Sequence, residues 1–392
     1  MVATTQSVLS DELLAGCAER APIYDQENRF FDEDFVALRD AGYLRLNVPK
    51  ELGGLGLSLP EVCREQYRLA YHAHATALAV NMHLYWTGVA GDLWRSGDTS
   101  LEWMLKGAVD GEVFAAGHAE SGNDMPLLLS TTQAQRVDGG YRFTGHKSFG
   151  SLTPVWTYLG LHAMDTSDPN APKIVHAFMP RESEGYSIKE TWDTMGMRAT
   201  RSDDTILEGV FVPDQYIGRV VPAGAAGIDL FVLAIFAWSQ PTFASIYHAI
   251  ARRAFDWTVE NVKQKTSLAM SRSMAYHAEV QHSIAEMAMD LEIIGPHIDK
   301  VAQDWADRVD YGAMWGAKLV AVKHKATTGA WRVVDTAMDL LGGFGLFKAA
   351  GFERLFRDAR LGRIHPANSA LAHEFVAKTV LGINPDETPR WG

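Results

Sequence analysis

The chain has little cysteine, a deficit of basic charge and no long apolar run, and each shortage removes a class of protein. Its 392 residues include two cysteines, Cys17 and Cys63, too few for a disulfide framework and without C-x-x-C spacing for a metal. No metal is expected, and a reducing cytoplasm is the expected location. Met1 to Glu12 lacks a basic stretch leading into an apolar one, so it does not read as a signal peptide. Apolar runs such as Phe231 to Trp238 fall short of the roughly 20 residues a membrane span requires. With 36 basic against 48 acidic side chains, a formal charge of −12, the surface repels phosphate backbones, and no basic patch argues for nucleic acid.

The composition that remains, 47% hydrophobic and 21% charged, is that of a globular enzyme-sized chain of two or three domains. From Ser10 to Trp103 apolar residues recur at three and four, as in Leu69, Tyr71, Ala75 and Leu78, which predicts helices. Between Val113 and Val221 short alternating runs take over: Thr131 to Val137, Tyr141 to Thr144, Val155 to His162, Ile174 to Met179 and Thr205 to Val212. Turn material such as Asp138-Gly139-Gly140 separates them. Helical period returns in Thr242 to Lys265, Met274 to Asp307, Tyr311 to Gly342 and Asn368 to Leu381. The order is α, then β, then α, without the βαβ units of a dinucleotide-binding Rossmann domain. The expected fold class is α+β, mainly α. A helical domain (1–111) precedes a central β-barrel (112–225) and a four-helix bundle (226–392).

Several motifs are unremarkable alone. Gly342-Gly343-Phe344-Gly345 reads as a helix C-cap, Gly145 to Ser151 as a hairpin, and Met195 to Thr200 as a turn feeding an edge strand closed by Pro213. Taken in this order with Val48 to Gly54, Ala285-Glu286-Met287 and Arg357-Asp358-Ala359, they resemble the acyl-CoA dehydrogenase superfamily of flavoproteins over nearly the whole chain. The resemblance implies a flavin between barrel and bundle, in a dimer or homotetramer whose neighbouring subunit completes the flavin site. FAD is the expected cofactor, FMN the alternative.

Carried over residue by residue, the family's T-E-P-x-x-G-S-D element falls on Gly117 to Asp124, with Gly117 for its Thr and Asn123 for its Ser. The aromatic and hydroxyl of its W-I-T segment fall on Phe149 and Ser151. Flavin contacts are implied at Phe114, Ala116, Gly117, Asn123, Phe149, Ser151, Gln281, Gly342, Gly343 and Asn368. Two departures stand out: the Gln before the glycine pair is Asp339, and the R-x-x-F-G element falls on Ser267 to Ser271, without its arginine.

Dehydrogenating an acyl thioester needs a carboxylate base opposite the flavin. The resemblance places it eight residues beyond Asp358, which is Pro366, or early in the bundle near Ser239. Neither is a carboxylate, and the nearby Glu374 reads as a surface residue. His365 stands beside the lost position and can act as a base or hydrogen-bond donor. A histidine seven residues after the R-D aspartate, with a hydroxyl at Ser151, also resembles the two-component flavin-dependent monooxygenases.

Two activities are therefore expected of His365 and Ser151. One is dehydrogenation of an acyl-thioester-type substrate, with electrons leaving to an electron-transfer flavoprotein. The alternative is oxygenation of a small aromatic or amine substrate, with reduced flavin from a flavin reductase. A degenerate, ligand-binding member is the third reading. His83 and Ser239 are expected substrate contacts. His72 and His74, two apart and facing different sides of one helix, are expected to be structural.

Overall fold

The computed structural model describes residues 7–387; Met1 to Gln6 of the N-terminal stretch considered above lie outside them. The first block holds α1 (Asp11–Glu27), α2 (Asp32–Asp40), α3 (Leu59–His72), α4 (His74–Arg95) and α5 (Glu102–Asp110). Capping chemistry fixes their starts. Ser10 accepts a bond from Leu13 N at 3.1 Å ahead of α1, and Glu61 reaches back to Ser58 N at 2.7 Å ahead of α3. His72 closes α3 and His74 opens α4, so the two histidines do not share a helix as expected. Ala73 between them leaves the helical region, at φ −142° and ψ 77°.

The second block is β1 (Phe114–Gly117), β2 (Gln133–Val137), β3 (Gly140–Gly150), β4 (Tyr158–Asp165), β5 (Lys173–Pro180), β6 (Tyr186–Lys189), β7 (Asp203–Pro213) and β8 (Ile217–Pro222). They form one sheet in the order β6-β7-β3-β2-β4-β5-β8, with β1 parallel to β4. Among the described residues no ladder joins β6 to β8, so the barrel is not closed by hydrogen bonds between those two strands.

Two local expectations are corrected. The segment Gly145 to Gly150 is no hairpin but the second half of the long strand β3, whose ladder slips between Lys147 and Gly150. β7 is no edge strand, because it pairs with β3 on one side and β6 on the other.

The third block comprises α6 (Leu230–Gln264), α7 (Ala278–Ala306), α8 (Met314–Leu341), α9 (Phe352–Leu361) and α10 (Ser369–Leu381). The helices α6, α7 and α8 pack on one another and α10 lies against α8, while α3 and α4 cover another side of α6. By length and composition α6 could cross a membrane, although its uncharged runs are short. Yet 83% of its most apolar window is buried inside the protein, as in the core helix of a bundle.

One continuous apolar core runs through all three blocks. Two close approaches tie them together. A methyl on Gly160 of β4 would sit 2.6 Å from the Trp86 indole of α4, and one on Gly196 would sit 2.6 Å from the Asp358 carboxylate of α9. Glycine lets a strand at Gly160 and a loop at Gly196 press their backbone against a helix.

Candidate active site

The loop between α9 and α10 carries His365. Its imidazole meets the Phe243 ring of α6 edge-on, centroids 4.2 Å apart. Nδ1 lies 3.3 Å from Pro366 O, so Nδ1–H donates there and the lone pair falls on Nε2, which has no hydrogen-bond partner among the described residues. Burial, reinforced by the Lys323 charge, pulls the imidazole down to about 3. His365 is therefore neutral at physiological pH.

Lys323 was not singled out in the sequence, yet it organises this loop. It projects from α8, 1% exposed, and donates to Gly362 O at 2.9 Å, to Ala367 O at 3.0 Å and to His365 O. Burial pulls its ammonium down to about 7. The available signal was position: Leu319, Lys323, Ala326 and Ala330 fall on one helical stripe, and all are buried.

Ser239 is buried on α6, its hydroxyl accepting from Gln240 Nε2 at 3.3 Å. Glu374 is less exposed than its surface reading implied, and it pairs with Lys378 at 2.9 Å.

Across from the bundle, the end of β3 presents Phe149, 59% exposed, at φ 59° and edge-on to Trp192. Two residues on, Ser151 is buried. Its Oγ lies 2.7 Å from Ser202 Oγ, which lies 2.7 Å from Thr200 Oγ1, which donates to Met197 O at 2.8 Å. Met197 N in turn donates to Asp358 Oδ1. A line of hydroxyls thus runs from the sheet to the helix that precedes the His365 loop, although no hydrogen bond joins Ser151 to His365 among the described residues.

Asp358 is buried, its other oxygen 2.7 Å from His74 Nε2. Burial pushes the carboxyl up to about 7 and drives the His74 imidazole well below its ordinary range. Next to it, Arg357 braces α9 through Asp25 at 2.6 Å and Met195 O at 2.6 Å.

Other expected contacts fall elsewhere. Gln281 donates to Ala275 O at 2.9 Å near the start of α7, and Lys265 donates to Leu341 O at 3.2 Å where α6 and α8 end. This is the same end of the bundle as Gly342 and Gly343. A Cβ on Gly343 would meet nothing within 4 Å, which leaves the backbone open to an approaching group. The loop of Ser267 to Ser271 lacks an arginine, but Arg272 follows it, stacked over Tyr276 at 4.8 Å.

Asn123 folds onto its own turn, bonding Glu120 at 2.9 Å and Leu129 O at 2.7 Å. Asn368 caps α10, accepting from Leu371 N at 3.0 Å. Gly117 ends β1, where Ala116 and Phe114 are buried. The Phe114 ring lies in an aromatic cluster with Trp103 and Tyr158, so it offers a ligand only backbone.

His83 is corrected outright. It is 0% exposed, its Nε2 bonds Leu44 O at 2.6 Å, and its Nδ1 accepts from Phe114 N at 3.2 Å. Both ring nitrogens are spent on the core, and none is left for a substrate.

Of two cavities, one reaches the Asp358 end of this constellation and is lined by Tyr24, Thr76, Arg198, Arg354 and Asp358, and the other, lined by Arg142, Glu182, Phe211 and Tyr216, lies away from it.

With this geometry in hand, comparison with known proteins is informative. Residues 226–381 match the family described as acyl-CoA dehydrogenase, C-terminal domain. A Bacillus subtilis protein provisionally named as the acyl-CoA dehydrogenase YdbM is 29% identical over 94% of each chain. The amino sugar nitrososynthase DnmZ of Streptomyces peucetius is 27% identical over 92% of this chain and 91% of its own. The solved structure of KijD3 in complex with dTDP superposes with a TM-score of 0.81 at 25% identity, covering 95% of both chains.

Proposed function

From its place in the acyl-CoA dehydrogenase superfamily of flavoproteins, to which the chain belongs, we propose that the protein is a flavin-dependent oxidoreductase that oxygenates a small amine or aromatic substrate. The residues suit a flavin. An exposed aromatic, Phe149, stands beside the hydroxyl line that starts at Ser151, and the backbone at Gly342 and Gly343 is open. FAD is the proposed cofactor and FMN the alternative. Bound in reduced form it supplies electrons to dioxygen; bound in oxidised form it accepts a hydride.

The observation that carries the reading is His365 beside Pro366, set against the Phe243 ring with its Nε2 free of any partner among the described residues, where the resemblance calls for a carboxylate base. An imidazole pulled down to about 3 is too weak a base to remove the α-proton of a thioester with useful driving force. Its Nε2 lone pair can instead accept a hydrogen bond from a substrate N–H or O–H and fix its direction. Ser151 supplies a hydroxyl whose proton can shift along Ser202 and Thr200. Phe243 and the loop backbone exclude water from one side of the imidazole.

Dehydrogenation remains the second reading, favoured by the match of the bundle to the dehydrogenase C-terminal domain. The two require different partners, a flavin reductase for oxygenation and an electron-transfer flavoprotein for dehydrogenation. Phe344, Leu346 and Phe347, exposed beside the glycine pair, support a homo-oligomer in which a second copy covers them. Two buried free cysteines support a cytoplasmic location.

The test supplies reduced FAD or FMN through a flavin reductase, in air, with a panel of amines and aromatics, and reads products by mass. A gain of one oxygen atom is expected, and it is lost in His365→Ala. Bleaching of the oxidised flavin by acyl thioesters under nitrogen, with no oxygenated product in air, would overturn the reading in favour of dehydrogenation.

A further inference from the structure

We propose that Lys323 is a positioning residue for His365: its buried ammonium gathers the carbonyl oxygens of Gly362, His365 and Ala367, so that the loop between α9 and α10 holds the imidazole against Phe243. The inference rests on the role given to His365 above. Lys323 has no carboxylate partner among the described residues, and its only acceptors are these three carbonyls. One nitrogen meets three acceptors spread over six residues, which requires the loop to wrap around one point.

The opposite side of the loop is equally fixed. A Cβ on Gly362 would lie 2.8 Å from the Tyr247 ring and 3.1 Å from the Thr327 methyl. The loop is therefore pinned between α6 and α8 at the residue where the clamp begins. Within it, the backbone bonds run back to the end of α9 alone: Gly362 N to Ala359 O at 3.2 Å, and Ile364 N and His365 N to Leu361 O at 3.0 and 2.9 Å. Without the ammonium, Gly362 O, His365 O and Ala367 O lose their partner, and nothing in the loop itself replaces it. A tether at the His365 carbonyl sets the backbone from which the imidazole departs, so the clamp acts on the candidate catalytic atom through one residue.

The experiment compares the full-length wild type with Lys323→Met, Lys323→Gln and Lys323→Arg. Hydrogen exchange read by mass spectrometry is expected to quicken at least tenfold in peptides covering 362–368 in the Met variant. The rise is smaller in the Gln and Arg variants, which keep donors, and sheet peptides are unaffected. A second readout is carbethoxylation of His365 by diethyl pyrocarbonate as a function of pH. Removing the lysine is expected to move the midpoint of that profile up in the Met variant. The other titratable groups around the loop, Arg363 and the facing pair His324 and His373, are retained.

Unchanged exchange and an unchanged profile in a folded Lys323→Met variant would overturn the clamp. Should the clamp respond as expected while His365→Ala keeps full oxygenation, the role of His365 fails and the clamp stands. If His365→Ala abolishes turnover while Lys323→Met matches the wild type in both readouts, the clamp fails and the role of His365 stands.

Discussion

Lys147 in the sheet and Lys323 in the bundle are equally hidden from water, each 1% exposed, yet they are held in opposite ways. Lys147 meets Glu120 at 2.5 Å and His162 O at 2.5 Å. Burial pulls its ammonium down to about 8 against the pull of Glu120. Burial pushes Glu120 up, but Lys147 outweighs it and the carboxyl ends at about 2. The pair is an internal brace with no net charge. Lys323 meets carbonyls only, and with no carboxylate beside it to hold its proton, burial pulls the ammonium down to about 7. A buried ion pair answers the needs of a fold, whereas a lysine spent on the carbonyls of one loop beside a candidate catalytic imidazole answers the needs of a site.

Removing each lysine should separate the two. Lys147→Met leaves the Glu120 carboxylate buried and unpaired, and is expected to cost about 3–5 kcal/mol. It should lower the thermal midpoint by far more than Lys323→Met, which strands dipoles instead of a charge. The double variant Lys147→Met/Glu120→Leu should recover most of the loss. A larger stability loss from Lys323→Met than from Lys147→Met would invert the comparison.

Acid should act mainly through buried histidines. Burial lowers the imidazoles of His74, His83, His118, His162 and His176, with His83 at about 4 and His176 at about 3. These stay neutral in the native protein, while the unfolded chain takes up protons below about 6.5. Their contribution is complete above that pH and is lost as pH falls toward the native values. The urea midpoint should therefore be lower at pH 5 than at pH 7.5, and an equal or higher midpoint at pH 5 would contradict this.

Smaller effects belong to packing and to the exposed ring of Phe149. Gly160→Ala forces a methyl against the Trp86 indole and should cost about 1–3 kcal/mol by urea denaturation. Phe149→Ala removes an exposed ring and should change stability by less than about 0.5 kcal/mol, its effect falling on ligand affinity instead.

The α–β–α order, the long bundle helices and the lack of a carboxylate at Pro366 and Ser239 were legible in the sequence, because period and local chemistry encode them. What was not legible depends on contacts distant in sequence. His83 is consumed by Leu44 and Phe114, 39 and 31 residues away, and no local pattern records that. Lys323 shares its spelling with any surface lysine on a helix, and only its stripe of neighbours marks it as buried. Gly145 suggested a hairpin, but it is there because Thr132 packs onto its backbone, where a Cβ would lie 2.5 Å from the hydroxyl. The short strands β1, β6 and β8 bear too few residues to establish alternation.

The account turns on a flavin lying at the end of β3 beside the His365 loop, and a titration of FAD and FMN, followed by quenching of their fluorescence, tests this most directly. The wild type should bind one of them with a Kd below about 10 μM, and Phe149→Ala should weaken that binding about tenfold with the thermal midpoint of the free protein unchanged. Failure of the wild type to bind either flavin, or equal affinity in Phe149→Ala, would contradict it.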